Sequence, residues 1–148
     1  MGAPTRFGDL IRRVLARYAT VTPGGIVLPP ATAPVREITA TLVRASPART
    51  LYRERRPVCR SLDDAPSLTG RACAGCPDRP SCTPQVLLDL EIDGFPYRLL
   101  LAYTSAKNFL LLAERLATTG RPLENARLRL AVLDRGHFGE VRFAADPA

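Results

Sequence analysis

The stretch VLLDLEIDGFPYRLLLAY, residues 86–103, decides the fold that this sequence predicts. Before Asp93-Gly94, apolar side chains at every second position of residues 86–92 share one face, with Asp89 and Glu91 opposite, which is the period-two pattern of a strand. After it, Tyr97, Leu99, Leu101 and Tyr103 share one face of a second strand. Asp-Gly between two such runs is a strong signal for a two-residue hairpin turn. The stretch therefore predicts an antiparallel hairpin of residues 86–92 and 97–103.

A helix and two further strands follow this hairpin. Residues 105–119 carry apolar side chains at helical spacing, with Ser105 as the expected N-cap and Gly120 just beyond the last turn. Residues 126–134 and 140–144 alternate apolar and polar side chains, and a glycine-bearing loop joins them. The C-terminal half is thus expected to contain two strands, a helix and two more strands.

The N-terminal residues add a helix, a connector and one strand. Residues 7–19 carry an apolar stripe at helical spacing, and residues 23–34 hold four prolines and two glycines, as a connector does. Residues 35–44 alternate again and are rich in β-branched side chains, so they predict the first strand. We therefore divide the chain into an N-terminal helix and connector, residues 1–34, and a domain of residues 35–148.

The order of elements from residue 35 onward is strand, long loop, strand, strand, helix, strand, strand. Five strands with a helix between the third and the fourth is the layout of an OB-fold, a small, partly open barrel. The expected fold class is therefore mainly β with helices (α+β), a five-stranded OB-fold barrel with an additional N-terminal helix. The long loop, residues 57–84, is inserted between strands one and two, in one of the two loops with which OB-folds grip oligonucleotides.

Four cysteines, the only ones in the chain, organise this loop. They follow the spacing C-x13-C-x2-C-x5-C and are Cys59, Cys73, Cys76 and Cys82. A C-x-x-C knuckle with two further thiolates makes a closed tetrahedral site, which is the geometry of structural zinc. An iron–sulfur cluster, disulfides and free thiols are the alternatives that the spacing leaves open. The cysteines predict one structural zinc per chain, with no open coordination position for catalysis.

Composition indicates a polyanionic partner. The chain has 148 residues and a formal net charge of +7, with 20 arginines and one lysine. A basic protein suits nucleic acid, because neutralised phosphates release their condensed counterions. No apolar run approaches the ~20 residues that cross a bilayer, and no secretory leader is evident, so we expect a cytoplasmic protein without a membrane partner. No nucleophile–base pair, carboxylate pair or phosphate-binding glycine loop indicates an enzyme.

A basic segment precedes the cysteines. Six arginines lie within residues 44–60, opposed only by Glu54 and accompanied by Tyr52. Cations that follow a phosphate backbone, with a ring on which a base can stack, are typical of single-strand binding. A solvated basic loop is the plain alternative. The candidate nucleic-acid contacts are Arg44, Arg49, Tyr52, Arg53, Arg55, Arg56, Arg60 and Arg71.

The cysteine segment resembles a known group of proteins. The similarity lies in Pro57-Val58-Cys59-Arg60-Ser61-Leu62-Asp63-Asp64, in Gly70-Arg71-Ala72-Cys73-Ala74-Gly75-Cys76-Pro77 and in Cys82. It matches the C-x-S-x-D-G and G-x-C-x-x-C-P segments of small phage and mobile-element proteins, although Asp64 stands where that pattern has glycine. Those proteins resemble OB-fold single-stranded-DNA-binding proteins, and a zinc insertion after the first strand is also similar to one OB domain of replication protein A. The resemblance extends loosely over residues 35–145 and implies the four cysteines as metal ligands, but no base-contacting residue.

Two functions agree with these observations. The first is a protein that binds single-stranded nucleic acid, expected to be DNA, without strong sequence preference, in replication, recombination or a mobile-element system. The second is an adaptor in a nucleic-acid-handling complex that uses the zinc loop as a docking surface for a protein partner. Asp89 and Glu91, which would repel phosphates, and an aromatic content of 6% favour the second function. The N-terminal helix could join copies of the chain into a homo-oligomer.

Overall fold

The structure is a computed structural model that describes residues 15–62, 73 and 75–146. Eight strands and one α-helix make up most of this part of the chain. In chain order they are β1 (Arg17–Thr22), β2 (Gly25–Val27), β3 (Glu37–Arg53), β4 (Arg56–Leu62), β5 (Thr83–Ile92), β6 (Phe95–Leu101), α1 (Tyr103–Thr118), β7 (Arg127–Asp134) and β8 (Gly139–Ala145), with a short 3-10 turn at Arg79–Ser81 before β5.

All eight strands belong to one sheet. Its order is β2-β1-β6-β5-β3-β7-β8, and β4 pairs with β3 beside this path. Every pairing is antiparallel except that of β1 with β6, which is parallel. The sheet curls until β8 lies against β1, where a Cβ atom added at Gly139 would overlap the carbonyl oxygen of Thr22. The result is a nearly closed, mixed, barrel-like sheet.

This architecture shows that the expected fold class, a five-stranded OB-fold barrel with an N-terminal helix, is wrong. Residues 17–22 form a strand at the end of the helix expected over residues 7–19, whose first eight residues lie outside the described part of the chain. The cause is tertiary pairing: Tyr18 and Ala19 lie beside Arg98 and Leu99 on an edge of β6 that would otherwise be open. A strand partner of this kind overrides a local helical pattern.

The irregular loop expected over residues 57–84 also differs, because it begins as strand β4. This strand forms a hairpin with the end of β3. The turn is Glu54-Arg55, and both residues have a positive φ, of 52° and 66°. Residues other than glycine seldom adopt this conformation, and hairpin turns of this kind usually contain glycine or asparagine. This turn contains neither, so the sequence did not reveal it.

The central hairpin is confirmed as β5 and β6. Asp93 and Gly94 have the positive φ values, 51° and 82°, that their two-residue turn requires. Leu90 and Tyr97 lie opposite each other with their side chains in the barrel interior. The sequence pattern around the Asp-Gly pair was therefore sufficient to predict the hairpin of these two strands.

The helix is confirmed, but not its N-cap. Helix α1 begins at Tyr103, and its N-cap is Ala102, which makes no side-chain capping bond. The hydroxyl of Ser105 instead accepts a hydrogen bond from the N–H of Val141, at 2.9 Å in a buried position. Ser105 thus joins the helix to β8 and does not cap its first turn.

Apolar side chains from the barrel wall and from α1 fill the interior. Phe109 of α1 packs edge-on against Phe143 of β8, with 5.5 Å between the ring centroids. Burial of each large apolar side chain contributes about 1.5–3 kcal/mol. Within the described residues, no helix has the length and apolar character that crossing a bilayer requires. The fully buried large apolar side chains are Phe109, Ile26, Leu42, Leu87, Leu88, Leu90, Leu99, Leu101, Leu128, Leu130 and Val141.

One buried carboxylate also joins α1 to β8. Glu140 accepts hydrogen bonds from Arg142 (3.1 Å), Arg135 (3.3 Å) and Asn108 of the helix (3.3 Å). The bond from Arg142 is the largest of the influences that lower the pKa of Glu140, and burial acts in the opposite direction. A charge buried at this point is tolerated because several donors surround it.

Gly139→Ala is expected to open the seam between β8 and β1. The added methyl group would meet the Thr22 carbonyl and, at 2.9 Å, the Val132 side chain. Because the first obstacle is backbone, the loss of unfolding free energy in a urea titration should be about 3 kcal/mol, the upper end for overpacking. Gly136→Ala is the control: its φ is 93°, but no atom lies within 4 Å of the new Cβ, so the loss should stay near 1 kcal/mol. A loss no larger for Gly139→Ala than for the control would contradict the close approach of the two strands.

Candidate nucleic-acid interface

Strand β3 is long enough to belong to two parts of the molecule. Its first residues pair with β7 in the barrel wall, and from Ala48 onward it lies between β4 and β5. A β-bulge between Leu42 and Arg44 marks the transition, as bulges bend strands and increase their twist. We call the three-stranded part, residues 44–53 of β3, β4 and residues 83–89 of β5, the extension.

The tip of the extension carries three of the predicted nucleic-acid contacts. Arg55 is one of the two residues of the strained Glu54-Arg55 turn, and Arg53 and Arg56 lie on either side of it. Arg55 and Arg56 are exposed and have no acidic partner among the residues that the structure describes. The Arg53 side chain is 62% exposed and pairs with Asp78 at 3.3 Å. The tip therefore presents cations to solvent on a short, conformationally restricted turn.

A hydrogen-bond network connects the predicted stacking residue, Tyr52, to Arg60. The Arg60 Nε donates to the hydroxyl of Thr50 at 3.1 Å, and this hydroxyl donates to the Gln85 Oε1 at 2.5 Å. Gln85 in turn donates from Nε2 to the Tyr52 hydroxyl at 3.5 Å. Thr50 is fully buried, whereas Tyr52 is 41% exposed. A buried polar network thus positions an exposed ring beside an arginine.

The remaining predicted contacts are less accessible or not described. Arg44 and Arg49 are half-buried along the extension, and Arg44 lies opposite Asp89 in the ladder between β3 and β5. Arg49 is close enough to Cys82 to oppose the rise that burial causes in the pKa of that thiol. Arg71 lies outside the described residues. The structure therefore concentrates the accessible candidates at the tip.

Two of the four cysteines flank β3 from opposite sides. Cys59 lies in β4 opposite Leu51, and Cys82 directly precedes β5, whose first residue is opposite Thr50. Both are half-buried, and neither takes part in a disulfide. Sequence spacing alone does not reveal this placement, because it depends on the pairing of β3 with two strands at once.

The other two cysteines lie in a tight turn. The N–H of Cys76 bonds the carbonyl of Cys73 at 3.2 Å, and Gly75 between them has a φ of 75°. The chain then turns again, and Asp78, the partner of Arg53, precedes the short 3-10 turn. The C-x-x-C knuckle expected from the sequence is thus a turn, and an ion pair joins the segment after it to the tip.

The thiols influence one another, but as placed they do not form a metal centre. The pKa of the Cys82 thiol is raised, first by burial and then by the nearby thiols of Cys59 and Cys76, with a smaller contribution from Cys73. Four thiols have the donor chemistry that zinc prefers. Among residues 15–62, 73 and 75–146, however, no group of three or more His, Cys, Asp or Glu side chains is arranged to hold an ion. Structural zinc therefore stays a prediction.

An ion pair weakens the argument that Asp89 would repel phosphates. Arg98 donates from Nε to Asp89 at 2.9 Å, so the charge of this carboxylate is neutralised locally. The same guanidinium approaches the hydroxyl of Tyr18 at 3.3 Å and lies over its ring, 5.8 Å from the centroid. Neither of these two contacts with Tyr18 was expected, because the sequence predicted a helix over residues 7–19.

Other aromatic side chains lie either in the core or on the surface away from the tip. Tyr97 is buried, and its hydroxyl donates to the carbonyl of Pro29 at 2.9 Å, so its ring is not available for stacking. Phe95 and Tyr103 are largely exposed, but at positions outside the extension. The sole histidine, His137, lies in an exposed loop with its ring 5.4 Å from that of Phe138. Tyr52 is therefore the aromatic side chain best placed beside the arginine tip.

Comparison with models of protein families, with curated proteins and with solved structures gives no match for this chain. The resemblance to single-stranded-DNA-binding proteins of phages and mobile elements therefore remains a prediction.

Thr50→Val is expected to destabilise the extension. The new side chain keeps the shape of threonine, but it leaves the Arg60 Nε and the buried Gln85 Oε1 without their partner. An unsatisfied buried polar group costs about 1–3 kcal/mol, which urea denaturation would measure. Thr20→Val in the exposed part of β1 is the control and should change the unfolding free energy by less than about 0.5 kcal/mol. Equal effects at both positions would show that the network contributes nothing.

Proposed function

We propose that the protein binds single-stranded nucleic acid through the tip of the extension. The observation that supports this proposal is the placement of two exposed arginines, Arg55 and Arg56, on the same hairpin as the exposed Tyr52 ring. Neither arginine forms an ion pair with an acidic side chain among the described residues. Phosphates would contact the guanidinium groups, and a base would stack on the tyrosine ring. Base stacking needs an accessible base face, which a single strand offers and a duplex interior does not.

Arg53 can join these contacts at small cost. Its ion pair with Asp78 is solvent-exposed, and exposed pairs contribute roughly 0–1 kcal/mol. A phosphate could therefore replace the carboxylate as the partner of Arg53. The net charge of +7 would assist association from a distance at low ionic strength.

The proposed binding would tolerate many sequences. Stacking on Tyr52 uses the face that every base has, and arginine–phosphate contacts carry no sequence information. DNA is the expected ligand because of the resemblance of the cysteine segment, and a role in replication, recombination or a mobile-element system is proposed on the same ground.

We also propose that the four cysteines hold one structural zinc. Their donor set suits zinc, and Cys59 and Cys76 lie near enough to Cys82 to raise its pKa. A bound zinc would supply cross-links between the cysteine turn and the extension. The chain's own residues already connect these parts through Arg53 and Asp78. The metal would thereby stabilise the surface that presents the arginines.

Arg55→Ala combined with Arg56→Ala is expected to weaken binding of a fluorescent single-stranded oligonucleotide and to reduce its salt dependence. For single strands, each lost phosphate contact should lower the slope of log K against log salt by ~0.7, so the double variant should lose about 1.4. Tyr52→Ala should lower the affinity by about 1–3 kcal/mol with little change in slope, because stacking releases no counterions. Fluorescence anisotropy at several salt concentrations would measure both quantities.

Lys107→Ala combined with Arg115→Ala provides the matched control for this experiment. It removes the same charge from the exposed face of α1 and should leave the slope within error of that of the unaltered protein. If the two double variants behave alike, or if a duplex competes as well as a single strand, the tip is merely basic and the proposal is wrong.

Purified protein is expected to contain one zinc per chain by elemental analysis. Cys76→Ser should lose the metal, and a chelator should lower the thermal midpoint of the unaltered protein, since the energy of metal binding is also folding energy. Ser81→Ala, an exposed change in the 3-10 turn that follows, should keep the zinc. A content well below one zinc per chain, without iron, would show that the thiols serve another purpose.

A further inference from the structure

A cleft opens in the barrel wall beside the first residues of β3. Its volume is about 630 Å³, and it lies between the start of β3, the segment after β2 and the turn that joins β5 to β6. Leu28, Glu37, Thr39, Ile92, Asp93 and Arg127 are among its lining residues. This size falls within the roughly 300–1,000 Å³ typical of binding sites for small ligands.

The cleft exposes an unpaired strand edge. Val35 exchanges both backbone hydrogen bonds with Ile26, at 2.8 and 2.9 Å, and Thr41 pairs with Glu91 of β5. Between these two points no strand in the described part of the chain pairs with this edge of β3. The gap would hold about three or four residues of extended peptide, or roughly 13 Å at 3.4 Å per residue.

The hydrogen bonds on the opposite edge of β3, which faces β7, show which backbone groups point into the cleft. The carbonyl of Arg36 accepts from the N–H of Val132, and the N–H of Leu42 donates to the carbonyl of Ala126, both at 2.9 Å. Residues alternate the side to which their backbone groups point, so even-numbered residues here bond towards β7. The N–H and C=O groups of Glu37 and Thr39 therefore point into the cleft.

The charges at the cleft favour a cationic ligand. Glu37 and Asp93 line it and are exposed, while its cation, Arg127, is 3.5 Å from the carboxylate of Asp146. Leu28 and Ile92 add apolar surface to the same lining. Phosphates would be repelled by such carboxylates, whereas an arginine or lysine side chain would be attracted.

We propose that this cleft binds a short extended segment of a partner protein, with at least one arginine or lysine, as an added strand on β3. Backbone bonds to Glu37 and Thr39 supply affinity, and the carboxylates select the basic side chain, as in other cases of strand addition. The cleft lies at the beginning of β3 and the arginine tip at its end, so one chain can hold nucleic acid and a protein partner together. The proposal does not depend on nucleic-acid binding.

Calorimetric titration of the full chain with a blocked tetrapeptide of alternating valine and arginine, acetyl-Val-Arg-Val-Arg-amide, tests this proposal. Binding is expected below roughly 1 mM. The same peptide with every backbone nitrogen methylated keeps its charge but lacks the backbone N–H donors that strand addition needs, so it should not bind. Glu37→Gln combined with Asp93→Asn should weaken binding about three- to tenfold, and asparagine keeps the left-handed turn at position 93.

Glu114→Gln combined with Glu124→Gln is the matched control, because it removes two exposed carboxylates elsewhere and should not alter the affinity. Three results would overturn the proposal: no binding at 1 mM peptide, equal binding of the methylated peptide, or equal binding by the variant at Glu37 and Asp93. Displacement of the peptide by single-stranded DNA would assign the cleft to nucleic acid. A dimer in sedimentation that only the Glu37 and Asp93 variant dissociates would assign it to a second copy of the chain, which also contradicts the proposal.

Discussion

The ladder between β3 and β5 is the constraint on which the rest of the structure depends. It runs from Thr41 opposite Glu91 to Thr50 opposite Thr83, with a β-bulge between Leu42 and Arg44. At one end it places Leu42 beside Leu90 in the core, and at the other it joins two of the three strands of the extension. A slip of one residue would turn Leu90 outward and Asp89 inward, because side chains alternate along a strand. The core and the candidate interface therefore depend on the same pair of strands.

Sequence patterns were sufficient where the signal is local. Alternation around Asp93-Gly94 predicted β5 and β6, and helical spacing followed by Gly120 predicted α1 and its end. They were insufficient where a partner decides the conformation. Tyr18 lies in a strand because an edge of β6 is available, and Ser105 bonds to Val141 because α1 packs against β8. The hairpin of β3 and β4 turns through residues that usually avoid a positive φ, so nothing in the local sequence marked it.

The candidate site also combines features that the sequence shows with features that depend on strand pairing. The density of arginines around Tyr52 is visible in the sequence, and so is the spacing of the four cysteines. The network behind Tyr52 is not visible, since Thr50 and Gln85 lie 35 residues apart and meet only through the ladder between β3 and β5. This ladder and the pairing of β3 with β4 together put Cys59 and Cys82 on opposite sides of β3. The chemical character of the site could be inferred from its residue types, but the positions of the side chains could not be inferred without the strand pairing.

The parallel pairing of β1 with β6 has a consequence for the order in which the chain folds. Arg17 pairs with Tyr97, and Tyr18 contacts Arg98 across 80 residues of sequence. Contacts between such distant residues form slowly, because a long loop must be closed before they provide any stabilisation. During synthesis β1 has no place in the sheet until β6 has left the ribosome, whereas β5 and β6 can form a hairpin as soon as both emerge. Closure of the barrel is therefore a late event, in which one of the first strands made is among the last to be incorporated.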